Sequence, residues 1–223
     1  LKPRALISIH DVSPAALDDV LVTVNGLRDL ALGPVTLFVM SHEDWPADAL
    51  STLTRLCDDG HELAAQGPDS STVNGVKQIC EHLRQARDWF LRSGFPAPVA
   101  CSLPAQTWLR PAARELGELG YRVVETLPGV HCQRVDGSYR LQAMPLLAFE
   151  AATRTRARFL ADWNRLQLRL ARRGSTPPRI ALQPADYRRG DGQMQGVLGL
   201  GWSPLRYAEL PALLLPDDRG DVA

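Results

Sequence analysis

A chain of 223 residues with 45% hydrophobic and 22% charged side chains has material for one sizeable core, and reads as a single domain spanning residues 1–223. Acidic and basic residues balance at 25 each, which argues against a strongly basic nucleic-acid binder and against an acidic disordered tail. Only Lys2 and Lys77 are lysines, and an arginine bias of this kind, which more often reflects genome composition than function, carries no mechanistic weight.

Four cysteines, Cys57, Cys80, Cys101 and Cys132, lie far apart with no CxxC pair. That spacing disfavours a zinc ribbon or a thioredoxin-like site and suits small apolar residues in a reducing, cytoplasmic compartment. No apolar run approaches the roughly 20 residues of a membrane span, so no membrane partner is expected. No signal-peptide pattern is visible, although the first residue is Leu rather than Met, which leaves a removed leader open.

In chain order, short apolar runs alternate with helical patterns. Ala5 to Ile9 is β-rich and too short for a helix. Ser13-Pro14 is a helix start, with Ser as N-cap and Pro where its missing N–H costs nothing. Leu17, Val20, Leu21, Val24 and Leu27 then recur at helical steps. Pro34 to Met40 is the second strand, residues 47–57 a helix closed by Asp58-Asp59-Gly60, and His61 to Ala65 the third strand. A polar loop from Gln66 to Asn74 leads into a long amphipathic helix that ends at Gly94. Pro98 to Leu103 is the fourth strand, stopped by Pro104, and a helix separates it from a strand at Tyr121 to Glu125. Runs 130–135 and 139–144 flank Asp136-Gly137, a hairpin signal. A helix is expected over about 149–173, with Phe159, Leu160, Trp163 and Leu170 turned inward and the arginines solvated. Arg179 to Leu182 is the last strand, 190–201 a Gly- and Gln-rich loop, and 204–215 a closing helix.

Strand–helix alternation with continuously apolar strands implies a parallel sheet covered by helices, either as a closed barrel or as an open doubly wound sheet. No GxGxxG or GxxxxGK[ST] follows the first strand, so nucleotide binding through such loops is unsupported. Sites in these folds collect at the carboxyl ends of strands. Those positions carry His10-Asp11, Gln66 with Ser70 four residues on, Leu103-Pro104 followed by Trp108, and Gln183-Pro184 with Asp186.

Ile9-His10-Asp11-Val12-Ser13-Pro14 and Gly60-His61-Glu62-Leu63-Ala64-Ala65, with the weaker Leu103-Pro104-Ala105…Trp108 and Leu182-Gln183-Pro184-Ala185-Asp186, resemble the polysaccharide-deacetylase superfamily of carbohydrate esterases. The first motif is similar to that of a bacterial branch reading Ile-His-Asp-Val-Ser-Pro. The motifs fall in family order over residues 5–186. The resemblance implies a distorted (β/α) barrel of about seven parallel strands, with the 130–144 hairpin as an insertion. It also implies a divalent metal on one Asp and two His, a metal-polarised acetyl carbonyl, an acidic base and a late His as acid. Asp11 matches the metal-binding aspartate and His10 the position of the catalytic base. The two metal histidines correspond to Gln66 and Ser70, and the late histidine to Gln183.

An imidazole binds zinc well, whereas an amide oxygen or a hydroxyl is a weak ligand for a transition metal, and an amide does not titrate near neutral pH. The resulting expectation is a deacetylase scaffold without its metal machinery, with no cofactor. Gln66, Ser70, Trp108, Gln183 and Asp186 would bind a carbohydrate or acylated small molecule, beside His10 and Asp11 at the former catalytic positions. The alternative is an active hydrolase that uses zinc or another divalent metal held unusually around Asp11, or metal-free chemistry through His10 and Asp186.

Structural readings stand beside these. Asp11 and Ser13 sit where helix caps sit, and His10 and His61 are placed to be satisfied structural imidazoles. His42, Glu43, Asp44 and Trp45 read as an exposed polar loop or a sugar contact. Cys101 or Ser102 with His10 would be a nucleophilic dyad, or else buried strand residues. Trp89, Trp163 and Trp202 read as packing residues.

Overall fold

The computed structural model describes residues 2–68, 75–103, 110–149, 154–174, 176–190 and 192–215. The chain divides into two compact units, Leu1–Val39 with Glu43–Leu63 and Met144–Arg206, and Met40–His42 with Ala64–Ala143 and Tyr207–Ala223.

In the first unit, β1 (Arg4–Val12) runs parallel to β2 (Thr36–Val39), β9 (Arg179–Leu182) and β10 (Ser203–Leu205), and β8 (Leu146–Ala148) lies parallel outside β9. Ala5, Leu6, Ile7 and Ile9 of β1 and Leu37, Phe38 and Val39 of β2 are all fully buried. A strand buried on both faces is predominantly apolar, which is why these segments do not alternate; Ser8 and Thr36 are buried polar exceptions. Helices α1 (Leu17–Asp29), α2 (Ala47–Asp58), α5 (Arg154–Arg173), α6 (Asp186–Arg189) and α7 (Gly192–Leu198) belong to this unit. Gly26 brings α1 against α6: a Cβ there would lie 2.0 Å from Tyr187 Cζ.

In the second unit, β4 (Ala100–Ser102) is parallel to β5 (Val123–Thr126), and β6 (Gly129–Gln133) and β7 (Tyr139–Ala143) follow as antiparallel strands. β3 (Glu62–Ala65) begins in the first unit, and its Ala65 pairs with Cys101 in the second. Helices α3 (Val76–Arg92), α4 (Ala113–Glu118) and α8 (Leu210–Leu214) complete it. The hairpin turn forms as expected. Asp136 Oδ1 accepts the Ser138 N–H and O–H at 2.9 and 2.6 Å, bonds that hold its carboxyl below the usual carboxylate range, and Gly137 takes φ 80°.

Several expectations are corrected. The 190–201 loop contains α7, because Met194, Val197 and Leu198 recur at helical spacing and are buried despite the Gly- and Gln-rich composition. The closing helix over 204–215 starts at Leu210, since residues 203–205 extend along β1 as β10. β8, of three residues, is too short for periodicity to reveal, and Phe149 is buried outside α5. Ser13 holds the N-cap position with no side-chain cap bond, and Pro14 opens a 3₁₀ turn before α1 begins at Leu17. On α5, Phe159, Trp163 and Leu170 are exposed rather than turned inward.

Candidate functional site

The end of β1 is irregular. Ile9 pairs with Leu37 and Val12 with Val39, so three steps along β1 match two along β2: a β-bulge at His10-Asp11. Asp11 adopts φ 52°, the left-handed region that costs a non-glycine residue on the order of 1–2 kcal/mol. Asp and Asn meet that cost with the least difficulty, and a bulge re-aims the side chains on either side of it. His10 stacks on Phe38 with centroids 4.5 Å apart at 14°, and its Nε2 lies 3.0 Å from the Oγ of buried Ser8. The two residues assigned to chemistry are therefore half-exposed, the imidazole clamped on two sides and the carboxylate set on strained backbone.

The end of β9 is built differently. Asp186 is 3% exposed, accepts the Gln183 N–H at 2.8 Å through Oδ2, and has Arg189 Nη1 3.6 Å from Oδ1. The adjacent Pro184 carbonyl accepts the Thr23 hydroxyl at 2.7 Å. Asp186 thus closes the turn between β9 and α6, an architectural use of the carboxylate. The Gln183 side chain is half-exposed on that turn.

His61 and Glu62 also serve the fold. His61 Nδ1 accepts the Val35 N–H at 3.2 Å, and Glu62 Oε2 accepts the Thr36 hydroxyl at 2.8 Å. Burial pushes the His61 imidazole below its ordinary value, against the pull of the Val35 bond.

In the second unit, Gln66 follows β3 and its carbonyl accepts the Nε2–H of His82 at 3.3 Å. His82 and His42 approach with ring centroids 5.5 Å apart at 56°, and burial first, then the neighbouring His42, push the His82 imidazole down. The Gly67 N–H donates to Ser102 Oγ at 3.1 Å, and a Cβ on Gly67 would lie 2.0 Å from the Ser102 carbonyl oxygen. Glu125, 5% exposed, accepts the Tyr207 hydroxyl, while its own carbonyl takes the Leu103 N–H at 2.8 Å. Sequence reasoning missed His82, Glu125 and Tyr207, because their partners lie 16 to 82 positions away along the chain.

Among the other candidates, Ser70 and Trp108 lie outside the described residues. Cys101 is fully buried with its thiol pushed far up by desolvation, and Ser102 is engaged with Gly67, so neither is poised as a nucleophile. His42, Glu43 and Asp44 are exposed, but Trp45 is buried, which corrects the reading of that loop as wholly exposed. Trp202 packs inside, with its indole N–H on the Val197 carbonyl at 2.8 Å, and Trp89 packs edge-on against Phe90.

The residues that the sequence motifs align with metal ligands are a carboxylate (Asp11), an amide (Gln66) and a hydroxyl (Ser70), and these donor types do not fit a transition metal. Among the described residues there is no group of three or more His, Cys, Asp or Glu placed to hold one ion.

The fold is α/β, a distorted (β/α) barrel of the polysaccharide-deacetylase kind, as solved structures of carbohydrate esterase family 4 show. The CE4 domain of a multidomain xylanase from the hindgut metagenome of Trinervitermes trinervoides superposes with TM-score 0.62 at 12% identity, covering 96% of this chain and 91% of that one. A polysaccharide deacetylase from Mycobacterium smegmatis, assigned as such provisionally, gives TM-score 0.60 at 16% identity, covering 97% and 91%. A mutant of a CE4 pseudoenzyme with restored enzymatic activity gives 0.55 at 13%, covering 94% and 67%. No protein-family model matches the chain, and no curated protein matches it in sequence.

Proposed function

We propose that this chain is a polysaccharide-deacetylase-like protein whose metal site is degenerate, and that it binds a carbohydrate or an acylated small molecule with catalysis weakened or lost. The observation that carries the reading is the replacement of every imidazole the chemistry needs, by Gln66, Ser70 and Gln183, while Asp11 and His10 are retained on a strained bulge. A carboxylate, an amide and a hydroxyl in place of one carboxylate and two imidazoles make a poor ligand set for a Lewis-acid metal, and an amide at 183 does not supply a proton to a leaving amine. Amides at 66 and 183 still donate and accept hydrogen bonds, which suits a polyhydroxylated ligand. A pseudoenzyme with this fold, to which mutation restored activity, is a precedent for such a state.

The alternative of metal-free hydrolysis through His10 and Asp186 is disfavoured by the duty Asp186 already performs in the β9–α6 turn. A reducing, cytoplasmic location is part of the proposal, supported by four cysteines that are all unpaired. Among the described residues no helix is long and apolar enough to cross a membrane.

The test is restoration. Gln66→His, Ser70→His and Gln183→His together, supplied with zinc or cobalt, are expected to deacetylate N-acetylglucosamine oligomers or acetylated xylo-oligosaccharides that the parent leaves intact. Parent turnover that a chelator or Asp11→Ala abolishes would overturn the proposal in favour of an active hydrolase.

A further inference from the structure

The mismatch on α5 between sequence expectation and structure points to a second property. Phe159, Trp163, Leu166 and Leu170 follow one another at steps of four, three and four, which lines them along one side of the helix. They are 65%, 39%, 49% and 48% exposed. Single exposed apolar residues are ordinary, whereas an aligned series of four along three turns marks an interaction surface.

The patch is also preorganised. The Trp163 indole N–H donates to the Leu146 carbonyl of β8 at 3.1 Å, and Phe159 lies nearly parallel to the Trp163 ring at 6.4 Å and 22°. The aromatic pair is therefore held at the surface.

Charge selects the partner. α5 carries seven arginines against one aspartate in a chain whose net charge is zero, and Arg158, Arg165, Arg169, Arg172 and Arg173 are exposed. Its single acid, Asp162, is already paired with Arg165 at 2.9 Å. A second copy docking through the same face would set arginine against arginine. An anionic bilayer instead accepts the aromatic and leucine side chains at its headgroup boundary while its phosphates meet the guanidinium groups. A helix that lies on a membrane needs one apolar face rather than an apolar core, so the lack of a spanning helix among the described residues does not bear on it.

We propose that α5 is a peripheral docking surface for anionic lipid bilayers, with Phe159, Trp163, Leu166 and Leu170 inserted at the interface and the flanking arginines on lipid phosphates. This surface stands apart from the ligand-binding reading above, and its failure would leave that reading untouched.

The experiment is co-sedimentation of the full chain with vesicles of phosphatidylglycerol and phosphatidylcholine, against vesicles of phosphatidylcholine alone. Binding is expected to the mixed vesicles only, and to weaken on the order of tenfold or more in high salt, as basic contacts with an anionic surface are screened. Arg169→Glu with Arg173→Glu, at exposed positions that leave the fold intact, is expected to lose most of the binding. Phe159→Asp with Leu166→Asp should abolish it without changing the thermal midpoint. Failure of the parent to sediment with anionic vesicles would overturn the proposal. So would equal binding to neutral vesicles, or binding that both double variants retain. Concentration-dependent self-association removed by Phe159→Asp would assign the face to a second copy instead.

Discussion

Two aspartates stand at strand ends in the first unit and are held in opposite ways. Asp186, after β9, is buried, bonded to the Gln183 N–H and faced by Arg189. Asp11, one residue before the end of β1, is half-exposed on left-handed backbone at a register break. A buried carboxylate that accepts a backbone N–H and faces a guanidinium contributes to the fold. A strained one that is open to solvent costs stability, and a chain keeps it for what it touches. The contrast separates the architectural carboxylate from the one proposed for the ligand site more sharply than strand-end position does, since both residues qualify by position.

The comparison predicts that Asp186→Ala has the largest effect on stability. It strands the Gln183 N–H, and should lower unfolding free energy by about 1–3 kcal/mol in a denaturant titration. Asp186→Asn, which keeps an acceptor oxygen, should recover part of the loss. Asp11→Asn should stay within about 0.5 kcal/mol of the parent, because Asn tolerates φ 52° equally well. A loss of 2 kcal/mol there would give Asp11 the same structural role as Asp186 and remove the contrast. Its effect should appear instead as weaker binding of N-acetylglucosamine oligomers by calorimetry.

A smaller effect concerns pH. His61 titrates below its ordinary value of 6.5 in the folded chain, so the unfolded chain takes up the proton first. The stability linked to His61 is complete above that value and declines as pH falls from it towards the depressed folded value. His61→Gln should flatten that part of the stability–pH curve, although His82, pushed down as well, will keep some slope. A curve unchanged by the substitution would remove His61 from the account.

Much of this was legible in sequence. β1 to β5, α1 to α3 and the 136–137 turn follow from apolar runs, helical spacing and turn chemistry, and the β1 motif led to the fold that solved structures confirm. What escaped has physical causes. β8 and β10 have three residues each, below the length at which periodicity speaks. The α5 stripe shows helical spacing, and spacing alone does not say whether an apolar side faces a core or solvent. The bulge at Asp11 carries no glycine to announce it, and the Glu125–Tyr207 pair joins residues 82 positions apart. Gln66 and Gln183 stand out as departures because a motif fixes their register, while Ser70 and Trp108 lie outside the described residues.

On the proposed reading, Asp11 stands without the two imidazoles that a catalytic metal requires. Elemental analysis of protein purified without chelator, parent beside the Gln66→His, Ser70→His and Gln183→His variant, tests it most directly. The account predicts no stoichiometric transition metal in the parent and about one equivalent in the restored variant. One equivalent of zinc or cobalt in the parent, lost on Asp11→Ala, would contradict it.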